Sequence, residues 1–184
     1  MRTKIWLLAL GATSCAVALI ARAGLRINTS PSLPRGLYRT VDSPVARGST
    51  VLACPPWAAA RLARERGYLF SGPCPGGVDP LGKRVLAAGG DRVEVTVDGL
   101  RVADRLVPLS RVRRFDARGR PLPSLVGRTF VLAPGEVWLY APHPRSFDSR
   151  IFGPIPRRAI REVVEPLWLL PSDLSANGAP PPSP

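Results

Sequence analysis

Two serines and a lysine are the residues of this chain whose types and settings ask for a chemical account. The serines lie in NTSPSLPRGLY, residues 28–38, where one proline separates Ser30 from Ser32 and a second, Pro34, follows. The prolines exclude regular helix, so the hydroxyls sit on an irregular segment, either a polar linker or a built turn. The lysine is Lys83. Of the 26 basic residues only Lys4 and Lys83 are lysine, the other 24 being arginine. A chain with that bias supplies arginine wherever a plain positive charge suffices. Arginine cannot lose its proton, whereas a desolvated lysine can, so a site that needs a neutral amine must keep lysine. Chance retention on the surface is the plain alternative. A serine hydroxyl alone is a poor nucleophile and needs a base within hydrogen-bond reach, which a buried, neutral amine provides. A serine of this segment and Lys83 are thus candidates for a nucleophile and its base. His143, the one histidine, offers a Ser–His alternative, but between Pro142 and Pro144 it reads as a solvated loop residue. A single histidine and no Cys-x-x-Cys spacing leave neither a metal site nor a cofactor to expect.

The elements around these residues read as β-rich. Lys83 opens the run Lys83-Arg84-Val85-Leu86-Ala87-Ala88, and strand alternation puts it on the same face as Val85. Residues 82–109 read as strand, glycine turn, alternating strand, a hairpin turn at Asp98-Gly99 and a return strand, and 49–54 as a further strand. Residues 129–141 read as a hairpin turning at Pro134-Gly135. One helix is predicted from Trp57 to Arg66, stopped by Gly67, with Trp57 and Leu62 on one side and arginines elsewhere. Cys54 and Cys74 lie in loop-like settings and read as a disulfide closing a loop of about twenty residues, provided the domain is exported.

Residues 5–21 are uncharged and mostly apolar, with Arg2 and Lys4 before them and Arg22 after. That length reaches the lower limit for a membrane-spanning helix, near 17 residues. The rival reading is a cleaved leader, for which Ala-Arg-Ala at 21–23 has the small-x-small form. The chain therefore divides into an N-terminal anchor (1–24), one globular domain (25–170) and a disordered tail (171–184) without apolar periodicity. The net charge of +13 would suit a nucleic acid, but the clusters at Arg111, Arg113, Arg114 and at Arg157, Arg158, Arg161 lack interleaved aromatics. No nucleic-acid partner is expected; the basicity fits solvated faces and contact with an acidic lipid surface.

Three segments resemble, in order, the sequence boxes of the membrane-bound signal peptidases that use a serine and a lysine. SLPRGLY (32–38) is similar to the nucleophile box, GKRVLAAGGDRVEV (82–95) to the lysine box and RSFDSRIFGPIP (145–156) to the closing box. The resemblance implies a mainly β, antiparallel domain of the signal-peptidase type on a single N-terminal transmembrane helix. It implies Ser32 as nucleophile, Lys83 as general base and Ser30 as a side-chain donor to the oxyanion. It also implies Ser146 as the residue that orients the lysine, with Asp148 and Arg150 holding the framework. APHPRSFDSR replaces the Gly-Asp-Asn-Arg-like run of housekeeping enzymes, and Pro-Arg-Gly-Leu-Tyr closes the first box. With ARGRPLP at 117–123, these departures resemble the TraF-type conjugative transfer peptidases.

The reading that follows is a serine endopeptidase of the bacterial inner membrane, its catalytic domain on the periplasmic side. Its substrate is a membrane-tethered, pilin-like precursor, released as a linear or a cyclised product. Two alternatives stay open: a general type I signal peptidase that removes export leaders, and a non-enzymatic membrane-anchored β scaffold of a secretion system.

Overall fold

The computed structural model describes residues 24–171. Apart from Gly24 and Pro171, the expected anchor and tail fall outside the described residues. Along the chain run β1 (Leu25–Asn28), β2 (Gly36–Val41), β3 (Thr50–Ala53), helix α1 (Trp57–Arg66), β4 (Ser71–Cys74), β5 (Leu81–Ala88), β6 (Arg92–Val95), β7 (Leu100–Val102), β8 (Arg105–Leu106), β9 (Thr129–Val131), β10 (Glu136–Tyr140), the short helix α2 (Ser149–Phe152), β11 (Ile155–Pro156) and β12 (Ile160–Leu169). The chain is mainly β, and the strand pairs of both sheets are antiparallel. Among the described residues no helix is long and apolar enough to cross a membrane.

The larger sheet has the order β1-β2-β12-β3-β5-β10-β11, and the smaller one β8-β7-β6-β9. Residues 82–109 are therefore divided: β5 belongs to the larger sheet, and the β6–β7–β8 meander makes the smaller one with β9. The 129–141 segment departs from the expected hairpin. Its strands β9 and β10 pair with β6 and β5 in different sheets, so Pro134-Gly135 lies on a crossing between sheets. Apolar content could not reveal that, because both strands bury side chains whichever partner they take. The turn expected at Asp98-Gly99 sits one residue earlier. Thr96 and Gly99 exchange backbone hydrogen bonds across Val97 and Asp98.

Two cores flank the sheet that carries Lys83. Ala87, Val93, Leu100, Leu132 and Trp138 fill the space toward the smaller sheet, and Val51, Val85, Leu139 and Ile155 form the second cluster. Strand β5 serves both because it passes two residues for one of β10: Trp138 lies opposite Ala87 and Leu139 opposite Val85. Such a bulge reverses the side-chain alternation beyond it. Lys83, paired with Val51, stays on the Val85 side, as strand alternation predicts.

Helix α1 keeps its expected bounds, and Gly67, in the left-handed region at φ 68°, returns its N–H to Ala63 and Arg64 carbonyls. Its buried face differs from expectation. Ala59, Ala60 and Ala63 make the contact, while Trp57 is 63% exposed; small side chains let the helix lie close on Leu81 and Phe147. Strand β12 bears no glycine or turn signal at its start and contains Pro166. The proline is tolerated because only β2 pairs with that part of the strand, β3 reaching no further than Val163, and a register shift follows it. Cys54 and Cys74 form a disulfide, with Cα atoms 5.4 Å apart, closing the loop that contains α1 and β4.

Candidate active site

Ser30 and Ser32 lie in the connection between β1 and β2, so of the two readings, polar linker or built turn, the second holds: the stretch is the tip of a hairpin. Asn28 organises it. Its side-chain amide donates to the carbonyls of Ser30, Leu33 and Pro34, each at 3.0 Å, and its carbonyl oxygen accepts the Ser30 N–H at 3.1 Å. The Tyr38 hydroxyl donates to the Pro34 carbonyl at 2.7 Å. Leu33 is buried beside Gly82, close enough that a Cβ on Gly82 would lie 3.0 Å from Leu33 Cδ1. The loop bearing Ser32 is thereby docked on the strand one residue before Lys83. Asparagine ahead of a Ser-Pro-Ser run is a turn signal with a mechanism, an Asx turn, and it was available in the sequence.

Ser32 is buried and its backbone N–H donates to Ser30 Oγ at 3.3 Å; Ser30 itself is exposed. Lys83 is 3% exposed, and its ammonium donates to the Gly82 carbonyl at 2.9 Å. Burial pushes the Lys83 amine down to about 8; the Asp148 carboxylate opposes that shift and the Arg150 guanidinium adds to it. Ser32 and Lys83 line one cleft of about 1000 Å³. No hydrogen bond joins their side chains.

The closing segment gathers on the far side of the cleft. Asp148 caps α2, accepting the Arg150 N–H at 3.1 Å, and takes the Arg150 guanidinium bidentately at 2.9 and 2.8 Å. It also accepts the Ala141 N–H, and Arg150 donates to the Ala141 and His143 carbonyls. Both residues are buried. A buried, fully bonded pair of this kind fixes the path of residues 141–150. Ser146 Oγ is buried in the same cleft without a hydrogen-bond partner. Lys83 Nζ thus holds the Gly82 carbonyl, and no hydrogen bond ties Ser146 to it.

His143 also lines the cleft, but its Nδ1 accepts the Arg145 N–H at 3.2 Å. Burial lowers its pKa first, and the cations Arg145, Arg150 and Lys83 lower it further. A histidine base of the triad type donates from Nδ1 to a carboxylate; here that nitrogen is an acceptor.

The apolar N-terminal residues, the serine segment, the lysine strand and the closing segment fall together within residues 2–168, which match the family model for signal peptidase, peptidase S26. The chain belongs to the signal peptidase family. The narrower TraF-type resemblance is borne out too. The chain is 46% identical over 147 residues to a plasmid transfer protein TraF of Escherichia coli, covering 79% of this chain and 83% of that protein. It is 46% identical over 154 residues to a probable conjugal transfer protein TraF of Sinorhizobium fredii (strain NBRC 101917 / NGR234), with 80% of each chain covered. With the conjugal transfer protein TraF of Agrobacterium tumefaciens (strain 15955) the identity is 42% over 165 residues, 86% of this chain and 92% of that one. Among solved structures, a signal peptidase I from Enterococcus faecalis V583 aligns at 18% identity and a TM-score of 0.36, covering 67% of this chain and 98% of that one; so loose a likeness carries no weight.

Several residues of this signal peptidase's cleft lie outside the three sequence boxes. Tyr68 and the segment Arg111–Leu122 contribute to its walls. Tyr68 donates to Asp116, which also accepts Arg120 Nε at 2.6 Å, while Arg66 donates to the Pro121 carbonyl at 2.8 Å. The one sequence sign of this arm was Asp116 alone among five arginines between 111 and 120.

Proposed function

We propose that this signal peptidase is a membrane-anchored serine endopeptidase with a Ser32/Lys83 dyad, processing a protein precursor of conjugative transfer. The observation that carries the reading is the buried amine of Lys83, its pKa lowered to about 8 by burial, in the cleft that also holds Ser32. Neutral Lys83 takes the Ser32 Oγ proton as the oxygen attacks the scissile carbonyl. The oxyanion replaces Ser30 Oγ as acceptor of the Ser32 N–H, and the Ser30 hydroxyl turns its own hydrogen toward it. The Lys83 ammonium then protonates the leaving amine, and the Asp148 charge eases that protonated stage. The acyl ester is resolved either by water that Lys83 activates or by the substrate's own amino terminus. The amine wins where the cleft holds both ends of a short precursor and admits little water.

The TraF relatives named for plasmid and conjugal transfer support a substrate of the conjugation apparatus, which we take to be a membrane-embedded, pilin-like subunit. The Cys54–Cys74 disulfide supports placing the domain on the oxidising, periplasmic side of the inner membrane, with residues 5–21 as the span. The test is a pair of substitutions scored by precursor mass. Ser32→Ala and Lys83→Arg are expected to abolish processing in a folded domain, whereas His143→Ala retains most of it. Processing at near-normal rate by Lys83→Arg would remove the dyad, because arginine keeps the charge and cannot accept a proton. A ring product would weigh one water, about 18 Da, less than the linear peptide.

A further inference from the structure

Two loops bring arginines into the cleft. Residues 107–128, between β8 and β9, supply Arg111 and Arg113; residues 141–148, between β10 and α2, supply Arg145. Each loop contains one carboxylate, and each carboxylate is already committed. Asp116 accepts from Tyr68, from Arg120 Nε at 2.6 Å and from the Arg118 and Arg120 amides at 2.8 and 2.9 Å, with Arg66 at 3.8 Å. Asp148 is enclosed by Arg150. Of the other carboxylates on the cleft, Glu162 is held by Arg26 and Thr40, and Asp79 makes no ion pair with these arginines. Among the described residues Arg111, Arg113 and Arg145 have no ion-pair partner. They are not loosely hung, since the Asp116 cluster ties the first loop to the end of α1 through Arg66 and Tyr68, and Arg150 ties the second.

A peptide must enter this cleft to reach Ser32, and whatever it carries close to the scissile bond passes the three guanidinium groups. Their planar forks match a carboxylate bidentately. We infer that Arg111, Arg113 and Arg145 select substrates by binding a carboxylate near the scissile bond, supplied by an acidic side chain or by the substrate's own C-terminus. The inference rests on the peptidase reading and names a preference within it. An anionic lipid headgroup is the rival ligand. The position of the arginines on the walls of the cleft that holds Ser32 and Lys83 favours the peptide.

The test uses full-length enzyme in detergent micelles and a mixed library of synthetic peptides, with cleaved bonds mapped by mass spectrometry. Aspartate or glutamate is expected to be enriched at one or two fixed positions from the cleaved bond. If the chain terminus is the source, C-terminal amidation instead suppresses cleavage. Arg111→Gln/Arg113→Gln/Arg145→Gln is expected to lower kcat/KM for peptides bearing the recognised carboxylate by about tenfold, mostly through KM, and to leave neutral, C-terminally amidated peptides within about twofold. Raising salt should reproduce part of that loss. Equal cleavage of acidic and neutral peptides by the unmodified enzyme, unchanged by C-terminal amidation, would overturn the inference. So would a preference that survives in the triple variant while that variant loses binding to phosphatidylglycerol vesicles, which assigns the arginines to lipid. Binding is read separately by fluorescence anisotropy of labelled acidic and neutral peptides on Ser32→Ala protein. Cleavage by that variant would remove the peptidase reading, whereas binding that neither an acidic side chain nor C-terminal amidation alters would remove the carboxylate site.

Discussion

Lys83 is a buried amine whose nearest hydrogen-bond partner is a backbone carbonyl, and its folding energetics and its chemistry pull in opposite directions. Its amine is held at about 8 against an ordinary 10.5. Between those values the unfolded chain binds a proton that the folded chain does not, so stability falls as pH drops from about 10.5 to about 8 and the penalty is constant below that. At 1.36 kcal/mol per unit the penalty is roughly 3 kcal/mol. Lys83→Met keeps the aliphatic stem and removes the amine. It is expected to raise the urea unfolding free energy at pH 7 by about 2 kcal/mol while abolishing processing. Measured across pH, the advantage over the unmodified protein should shrink above about pH 8 and vanish near 10.5. If Lys83 is the base of the proposed dyad, kcat/KM is expected to rise through about pH 8 to a plateau. An unchanged or lowered stability of Lys83→Met at pH 7 would show that the amine is not desolvated.

The hairpin of β1 and β2 depends on what Leu33 meets. Gly82 has no side chain, and a methyl there would press on Leu33 Cδ1 at 3.0 Å and touch Leu52 at 3.7 Å. Gly82→Ala is therefore expected to lift the Ser32 loop by a few tenths of an ångström. The expected cost is about tenfold in kcat with less than about 1 kcal/mol in stability, checked by single-turnover rates beside a denaturation curve. Legibility in the sequence divides along the same line. Helix α1, the burial of Lys83 with Val85 and the Cys54–Cys74 pairing were readable, because each rests on a local pattern or a small closed loop. Strands β2 and β12 were not. Gly36–Val41 and Ile160–Leu169 become strands by pairing with each other across more than 100 residues, and prolines at 34 and 166 masked them. Of the site, the serine, the lysine and the Asp148–Arg150 pair were legible from their boxes. The Asp116 arm was not, since its bonds to Arg66 and Tyr68 join segments roughly 50 residues apart.

Across the whole molecule the disulfide and the strand order decide how the parts cohere. Cys54–Cys74 closes a loop whose residues Tyr68, Leu69 and Pro73 reach the cleft. Replacing both cysteines by serine is expected to cost about 3 kcal/mol, read from urea denaturation beside non-reducing mass mapping of the unmodified chain. The order β1-β2-β12-β3-β5 sets the timing of assembly. Strand β12 separates the hairpin that carries Ser32 from the strands leading to Lys83, so the two halves of the larger sheet share no strand until residues 160–169 have been synthesised. A chain that already contains Ser32, Lys83 and Asp148 but not yet its last strand is therefore expected to be inactive. A chain ended after Ala159 is expected to refuse a serine-reactive acylating probe, and adding a synthetic peptide of residues 160–171 should restore labelling. Full labelling of the shortened chain would mean that the serine hairpin finds its place without the strand beside it.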